Sequence, residues 1–355
     1  MSRRKNLSAI TCMALFVLIL LAQGKEAFGR EAALWEKYKK EFISGDGRVV
    51  DYMQGEVSHS EGQGYSMLLA VEYDDRKTFQ KLLTWTMENL AVRNDRLLAW
   101  RWGKRLNGKW NVVDHNNATD GDILVALALV KAGEKWKDKG LTGQGVAMAN
   151  SIHEHLIVEW KRRQLILPGY YGFGINGGFS LNPSYMIFPA FIVFGQADRK
   201  NSGAWAKIHA DARYLVSHSS FGEMNLPADW VAADHNGRIR LHFEKSPYFG
   251  LDAVRVFLYM AFDDKPVFPA GLEKMLDLFD RLGYIPSRVN LETGEISLSP
   301  APAGLYAVYA KAAAASGNDQ TAKKLFSIAR KNLDRETKNY YSMALYLLAT
   351  IEEVL

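Results

Sequence analysis

Two kinds of helix-forming segment alternate along this 355-residue chain, and that alternation limits the fold more than any other feature. One kind is amphipathic and charged, over 31–43, 77–90, 145–162, 205–217, 270–282 and 320–333. In 77–90, Phe79, Leu82, Leu83 and Met87 fall on one face, as a helix lying on a core requires. The other kind is apolar nearly all round, over 67–71, 123–132, 185–194, 253–262, 305–315 and 343–351. A helix with no polar face is buried on every side. Six of each, in alternation, pack most simply as an inner ring of buried helices inside an outer amphipathic ring. The expectation is an all-α (α/α)6 barrel. An α/α solenoid is the competing architecture, but its repeats would be shorter and more self-similar. No linker or composition break divides the chain after residue 30, so residues 30–355 read as one domain.

The first residues read as an address. Arg3, Arg4 and Lys5 precede an apolar run from Ala9 to Ala22, and small residues offer cleavage after Gly24 or as late as Gly29. This is the order of a secretory signal peptide, here 1–24. The apolar run is short for a membrane span of roughly 20 residues. Its removal takes away the chain's one cysteine, Cys12, and lowers the net charge from +5 to +2. A cysteine-free chain folds in an oxidising compartment without pairing errors. The expected location is therefore the periplasm or the medium. No dense basic stripe suggests nucleic acid, and no stable membrane insertion is expected once the signal is removed.

Acids stand where inner helices begin. Glu61 lies in Ser60-Glu61-Gly62-Gln63-Gly64-Tyr65, Asp120 and Asp122 in Thr119-Asp120-Gly121-Asp122, and Asp252 in Leu251-Asp252-Ala253-Val254-Arg255. Inner helices of a barrel point the same way, so these acids gather on one rim. Helix capping explains them as well: Ser60 with Gln63, and Thr119 with Asp122, both have capping-box spacing, and the macrodipole favours acids there. Trp100 and Trp102 flank Arg101 at a spacing unlike a helix core. Flat indole faces stack on sugar rings, and Arg101 can hydrogen-bond hydroxyls. Gly172-x-Gly174-x-x-Gly177 matches a dinucleotide fingerprint but lacks the strand and helix that motif needs. Asp114-x-Asn116 opens like a calcium loop, but Thr119 and Val125 replace its required glycine and glutamate.

The stretch Ala118-Thr119-Asp120-Gly121-Asp122-x-x-Val125-Ala126-x-Ala128-Leu129-Val130-x-Ala132-x-x-x-Trp136 resembles the signature of glycoside hydrolase family eight, departing at Val125, where that family usually has Ile or Met. Ser60 to Tyr65, Asp252-Ala253-x-Arg255 and Asn182-Pro183-Ser184-Tyr185 are similar to further segments of the same family. The resemblance implies an (α/α)6 barrel and inverting endo-hydrolysis of β-1,4-glucan. Glu61 would be the general acid, Asp252 the general base, and Asp120 the residue holding the sugar at the cleavage point. Trp100, Arg101, Trp102, Tyr185 and Arg255 would bind substrate. No cofactor and no metal is implied. The partner implied is a β-1,4-glucan chain, with a functional association to a bacterial cellulose synthesis and export system. A polysaccharide lyase on the same barrel and a non-catalytic glucan-binding protein remain the alternatives.

Overall fold

In a computed structural model of the chain, residues 31–351 are described; the expected signal segment lies outside them. The described residues hold twelve α-helices: α1 (31–42), α2 (Ser60–Glu72), α3 (Arg76–Asn89), α4 (Thr119–Lys135), α5 (Lys139–Leu156), α6 (Phe188–Ala197), α7 (Ser202–Ser217), α8 (Val254–Ala261), α9 (Gly271–Leu282), α10 (Ala303–Ala315), α11 (Asp319–Leu333) and α12 (Tyr340–Thr350). The even-numbered helices form a closed inner ring. Each packs on the next, α2 on α4, α4 on α6, α6 on α8, α8 on α10 and α10 on α12, and α12 returns to α2. The odd-numbered helices lie outside. The cause is the distribution of apolar side chains. α4 is buried through its first twelve residues, whereas α11 buries only Ala322, Leu325, Ala329 and Leu333, one face of its four turns.

The connections are unequal, and this places the working end of the barrel. Inner helices pass to outer ones by short turns such as 73–75, 136–138 and 316–318. Outer helices return to inner ones by long segments: 90–118, 157–187, 218–253 and 283–302. All long segments therefore reach the rim where inner helices start. They carry short antiparallel strands. Strands β1 (Ser58–His59), β2 (Arg101–Lys104) and β3 (Trp110–Asp114) form one sheet in that order. Gly174–Ile175, Gly178–Leu181, Val231–Asp234 and Ile239–Leu241 form another. The glycine-rich 172–177 stretch is thus part of a hairpin and not a phosphate loop.

Helix boundaries differ from expectation in several places: α2 begins at Ser60 rather than 67, α4 at Thr119 rather than 123, and two expected helices break within their spans. The segment expected as helix over 145–162 ends at Leu156, and Ile157–Trp160 pairs with Arg163–Ile166 as a hairpin. Lys161 and Arg162 turn at φ 49° and 65°, which no right-handed helix accommodates. The segment expected over 185–194 splits into a tight turn, Pro183–Tyr185, and α6, which starts at Phe188 with a proline in its first turn.

The inner ring is close-packed at α2 and α4. A Cβ on Gly64 would lie 2.5 Å from the Leu124 Cβ. Helix propensity alone favours alanine over glycine by roughly 1 kcal/mol, but overpacking a core costs about 1–3 kcal/mol. Gly64→Ala is therefore expected to lower the unfolding free energy, read as an earlier urea midpoint. A later midpoint would mean the two helices are not in contact there.

Candidate active site

The acids of the inner rim converge on one arginine. Glu61 and Asp120 stand in the first turns of α2 and α4, Asp252 in the turn before α8, and Arg255 in the first turn of α8. Arg255 is 1% exposed. Its Nη1 donates to Glu61 Oε1 and, at 3.0 Å, to Asp120 Oδ2. Its Nη2 donates to Asp252 Oδ1 at 3.0 Å and to Ser184 Oγ at 2.9 Å. Ser184 Oγ donates in turn to Asn182 Oδ1 at 2.7 Å, and Asn182 Nδ2 donates to Asp252 Oδ2 at 3.0 Å. Tyr65, one turn along α2 from Glu61, donates to Glu61 Oε1 at 3.3 Å.

The acids at the two helix starts are not caps. His59 and Ala118 occupy the N-cap positions, and neither makes a side-chain cap bond. Ser60 Oγ is buried without a hydrogen-bond partner, and Gln63 accepts from the Val49 amide at 2.6 Å while donating to Thr86 Oγ1 at 2.8 Å. Thr119 Oγ1 donates to the Leu167 carbonyl, and Asp122 accepts from the Leu98 amide and Asn117 Nδ2, each at 2.8 Å. Neither capping box forms. Asp122 ties a rim loop to α4, and its burial pushes its carboxyl up to about 7.

Burial of Glu61 and Asp120 beside one cation, with a third acid next to them, keeps a proton in the site. Burial is the main force raising Glu61, to about 8; Arg255 opposes it, and Asp120 and then Asp252 reinforce it. Burial likewise raises Asp120 against the pull of Arg255. Glu61 thus holds its proton at neutral pH, although a helix N-terminus favours the anion. Its side chain is 18% exposed, and that of Asp252 is 38% exposed, open to water. The arrangement offers a proton donor and, across the same guanidinium, a carboxylate that meets solvent.

Glu61, Asp120, Asp252, Arg255, Trp100 and Tyr185 all line one cavity of about 330 Å³. The Trp100 ring is fixed by stacking on His59, centroids 5.5 Å apart and planes 7° apart. Arg101 and Trp102, expected to bind substrate, are not part of that lining. Trp102 packs edge-on to Trp85 of α3 at 5.5 Å and stacks on Trp110 at 5.1 Å. Arg101 turns back over the Trp100 ring at 5.6 Å. A register shift of the β2–β3 ladder between Arg101 and Trp102 interrupts the plain alternation of faces along the strand. Arg255, expected to contact substrate, spends its donors on the acids and Ser184. Asn182 and Ser184 fall in a stretch the sequence reading noted. Asp229, which braces the Asp252 turn, was missed; it had no signal beyond being one acid in a loop.

The family profile described as "Glycosyl hydrolases family 8" matches residues 6–353. An endoglucanase of Cellulomonas uda is 37% identical over 275 residues, 77% of this chain and 75% of that protein. A probable endoglucanase of Novacetimonas hansenii is 33% identical over 90% of both chains. The structure of endo-beta-1,4-glucanase CMCax from Acetobacter xylinum superposes with a TM-score of 0.79 at 31% identity, covering 90% of this chain and 96% of that one.

The proton on Glu61 is open to direct measurement. A carbon NMR titration of its carboxyl is expected to give a midpoint near 8. Asp120→Asn removes a charge that raises it and should move the midpoint down. An unmoved midpoint would remove Asp120 from the cause.

Proposed function

This chain belongs to glycosyl hydrolase family 8 and is an endo-β-1,4-glucanase, and we propose that it cleaves with inversion, Glu61 acting as general acid and Asp252 as general base. The observation that carries this reading is the single buried Arg255 guanidinium, which binds both carboxyls at the floor of one cavity. Inverting enzymes hold their two carboxyls roughly 6.5–9.5 Å apart to leave room for a water.

The chemistry follows from the proton inventory. Glu61, protonated at neutral pH, gives its proton to the glycosidic oxygen as the bond to the anomeric carbon breaks. Asp252 takes a proton from the water that attacks the opposite face of the sugar. The Glu61 anion left behind faces the Arg255 cation, which stabilises it as it forms. Asp120 is the residue that would hold the sugar at the cleavage point, a role supported by its bond to the same guanidinium and its place in the cavity lining. Trp100 and Tyr185 line the cavity beside the acids and are the aromatic groups that would meet a neighbouring pyranose. Neither a lyase nor a non-catalytic binding protein finds support among relatives that are endoglucanases.

Export is part of the same proposal, supported by the order of basic, apolar and small residues over 1–24 and by the absence of cysteine after Cys12. So is a functional association with a bacterial cellulose synthesis and export system, which rests on the sequence resemblance. N-terminal sequencing of the exported protein should begin at Lys25 or Arg30; Met1 retained on the exported chain would refute removal.

Reaction on soluble carboxymethylated cellulose is expected to release reducing ends that appear first as the α anomer by proton NMR. First appearance of the β anomer would exclude inversion. Glu61→Gln should lower kcat by about 10²–10⁴-fold, the usual worth of a positioned proton donor.

A further inference from the structure

Asp229 stands outside the cavity lining, behind the turn that carries Asp252. Its Oδ1 accepts from the Gly250 amide at 3.0 Å and from the Ala253 amide at 2.9 Å. One oxygen therefore grips the turn on both sides of Asp252. Its Oδ2 accepts from Ser246 Oγ at 3.3 Å, and its own amide donates to the Tyr248 carbonyl at 2.9 Å. Asp229 is thus fixed to the segment before the turn as well as to the turn itself.

Ala253, the N-cap residue of α8, has no polar side chain with which to fix the turn. The first-turn amides of α8 go to backbone carbonyls, Val254 to Gly250, Arg255 to Asp252 and Val256 to Ala253. The amides of the turn itself, at Gly250 and Ala253, find their acceptor in Asp229, from a different segment. Tyr341 adds one further tie, donating to the Leu251 carbonyl at 2.7 Å. The fit is tight: a Cβ on Gly250 would lie 2.9 Å from Asp229 Oδ2. An acid is a costly choice here, because burial and then the Asp252 charge push Asp229 up to about 7.

We propose that Asp229 is a positioning residue for the general base, holding the 250–253 turn so that the Asp252 carboxyl stays aimed at the attacking water. This rests on the reading of Asp252 as the base. Displacement of a reacting group by about 1 Å costs on the order of 10²-fold in rate, so the effect falls on kcat.

The test uses the full chain and soluble carboxymethylated cellulose. Asp229→Ala should lower kcat by about 10²-fold while KM stays within about threefold. Asp229→Asn keeps an oxygen that accepts from both amides and should restore kcat to within about tenfold of wild type. Gly250→Ala disturbs the brace from the other side and should also lower kcat. Asp252→Ala separates the two readings: if it retains activity, the base assignment fails whatever Asp229 does. If it is inactive while folded Asp229→Ala keeps wild-type kcat, the positioning role is overturned. An Asn variant as impaired as the Ala variant overturns it too, since charge and not the acceptor would then matter. Should Asp229→Ala not fold, Gly250→Ala decides, and an unchanged kcat overturns the proposal.

Discussion

One buried cation shared by three acids is the constraint on which this site depends. Arg255 is enclosed at the start of α8 and bonded to Glu61, Asp120 and Asp252 at once. A buried charge is tolerated only when paired, so the arginine requires acids and the acids require the arginine. One positive charge cannot neutralise three carboxylates in a medium of low polarity. A proton kept on one carboxyl relieves that excess, and Glu61, raised mainly by burial to about 8, is the one that keeps it. Burial and charge balance together therefore keep a proton on Glu61 at neutral pH, the state a general acid would need.

The competing influence is smaller. A helix N-terminus stabilises a nearby anion by roughly 0.3–1 kcal/mol, and up to about 2 in buried geometry. Raising a carboxyl from 4.5 to about 8 corresponds to on the order of 5 kcal/mol. Burial among like charges outweighs the dipole. Were the proton to leave, the dipole and Arg255 would both favour the resulting anion. The barrel makes this possible because it turns every inner helix the same way and sends every long connection to the same rim. Acids far apart in the chain then meet at one point.

Much of this was legible before any coordinates. Burial follows composition, so helices apolar on all sides had to lie inside, and the two rings follow from counting them. Glu61, Asp120 and Asp252 were visible as acids at inner-helix starts. The capping-box spacing of their neighbours, Ser60 with Gln63 and Thr119 with Asp122, pointed equally to structure, and only the side-chain partners decide between the readings. Ser60 caps nothing, and Asp122 holds a distant amide and asparagine. The helix expected over 145–162 failed at its end because Lys161 and Arg162 adopt a turn conformation that apolar periodicity does not record.

The sequence by itself determined the ring architecture and the acids that stand at the inner-helix starts, because these depend on local periodicity and residue type. Only the tertiary structure decided which groups pair. Arg255 engages the acids, Trp102 packs into the wall on Trp85, and Asp229 reaches across from another segment to hold the turn of Asp252. Those are contacts between residues distant in the chain, formed when the ring closes, and a linear pattern carries no signal for the partner of a side chain that folding brings from elsewhere.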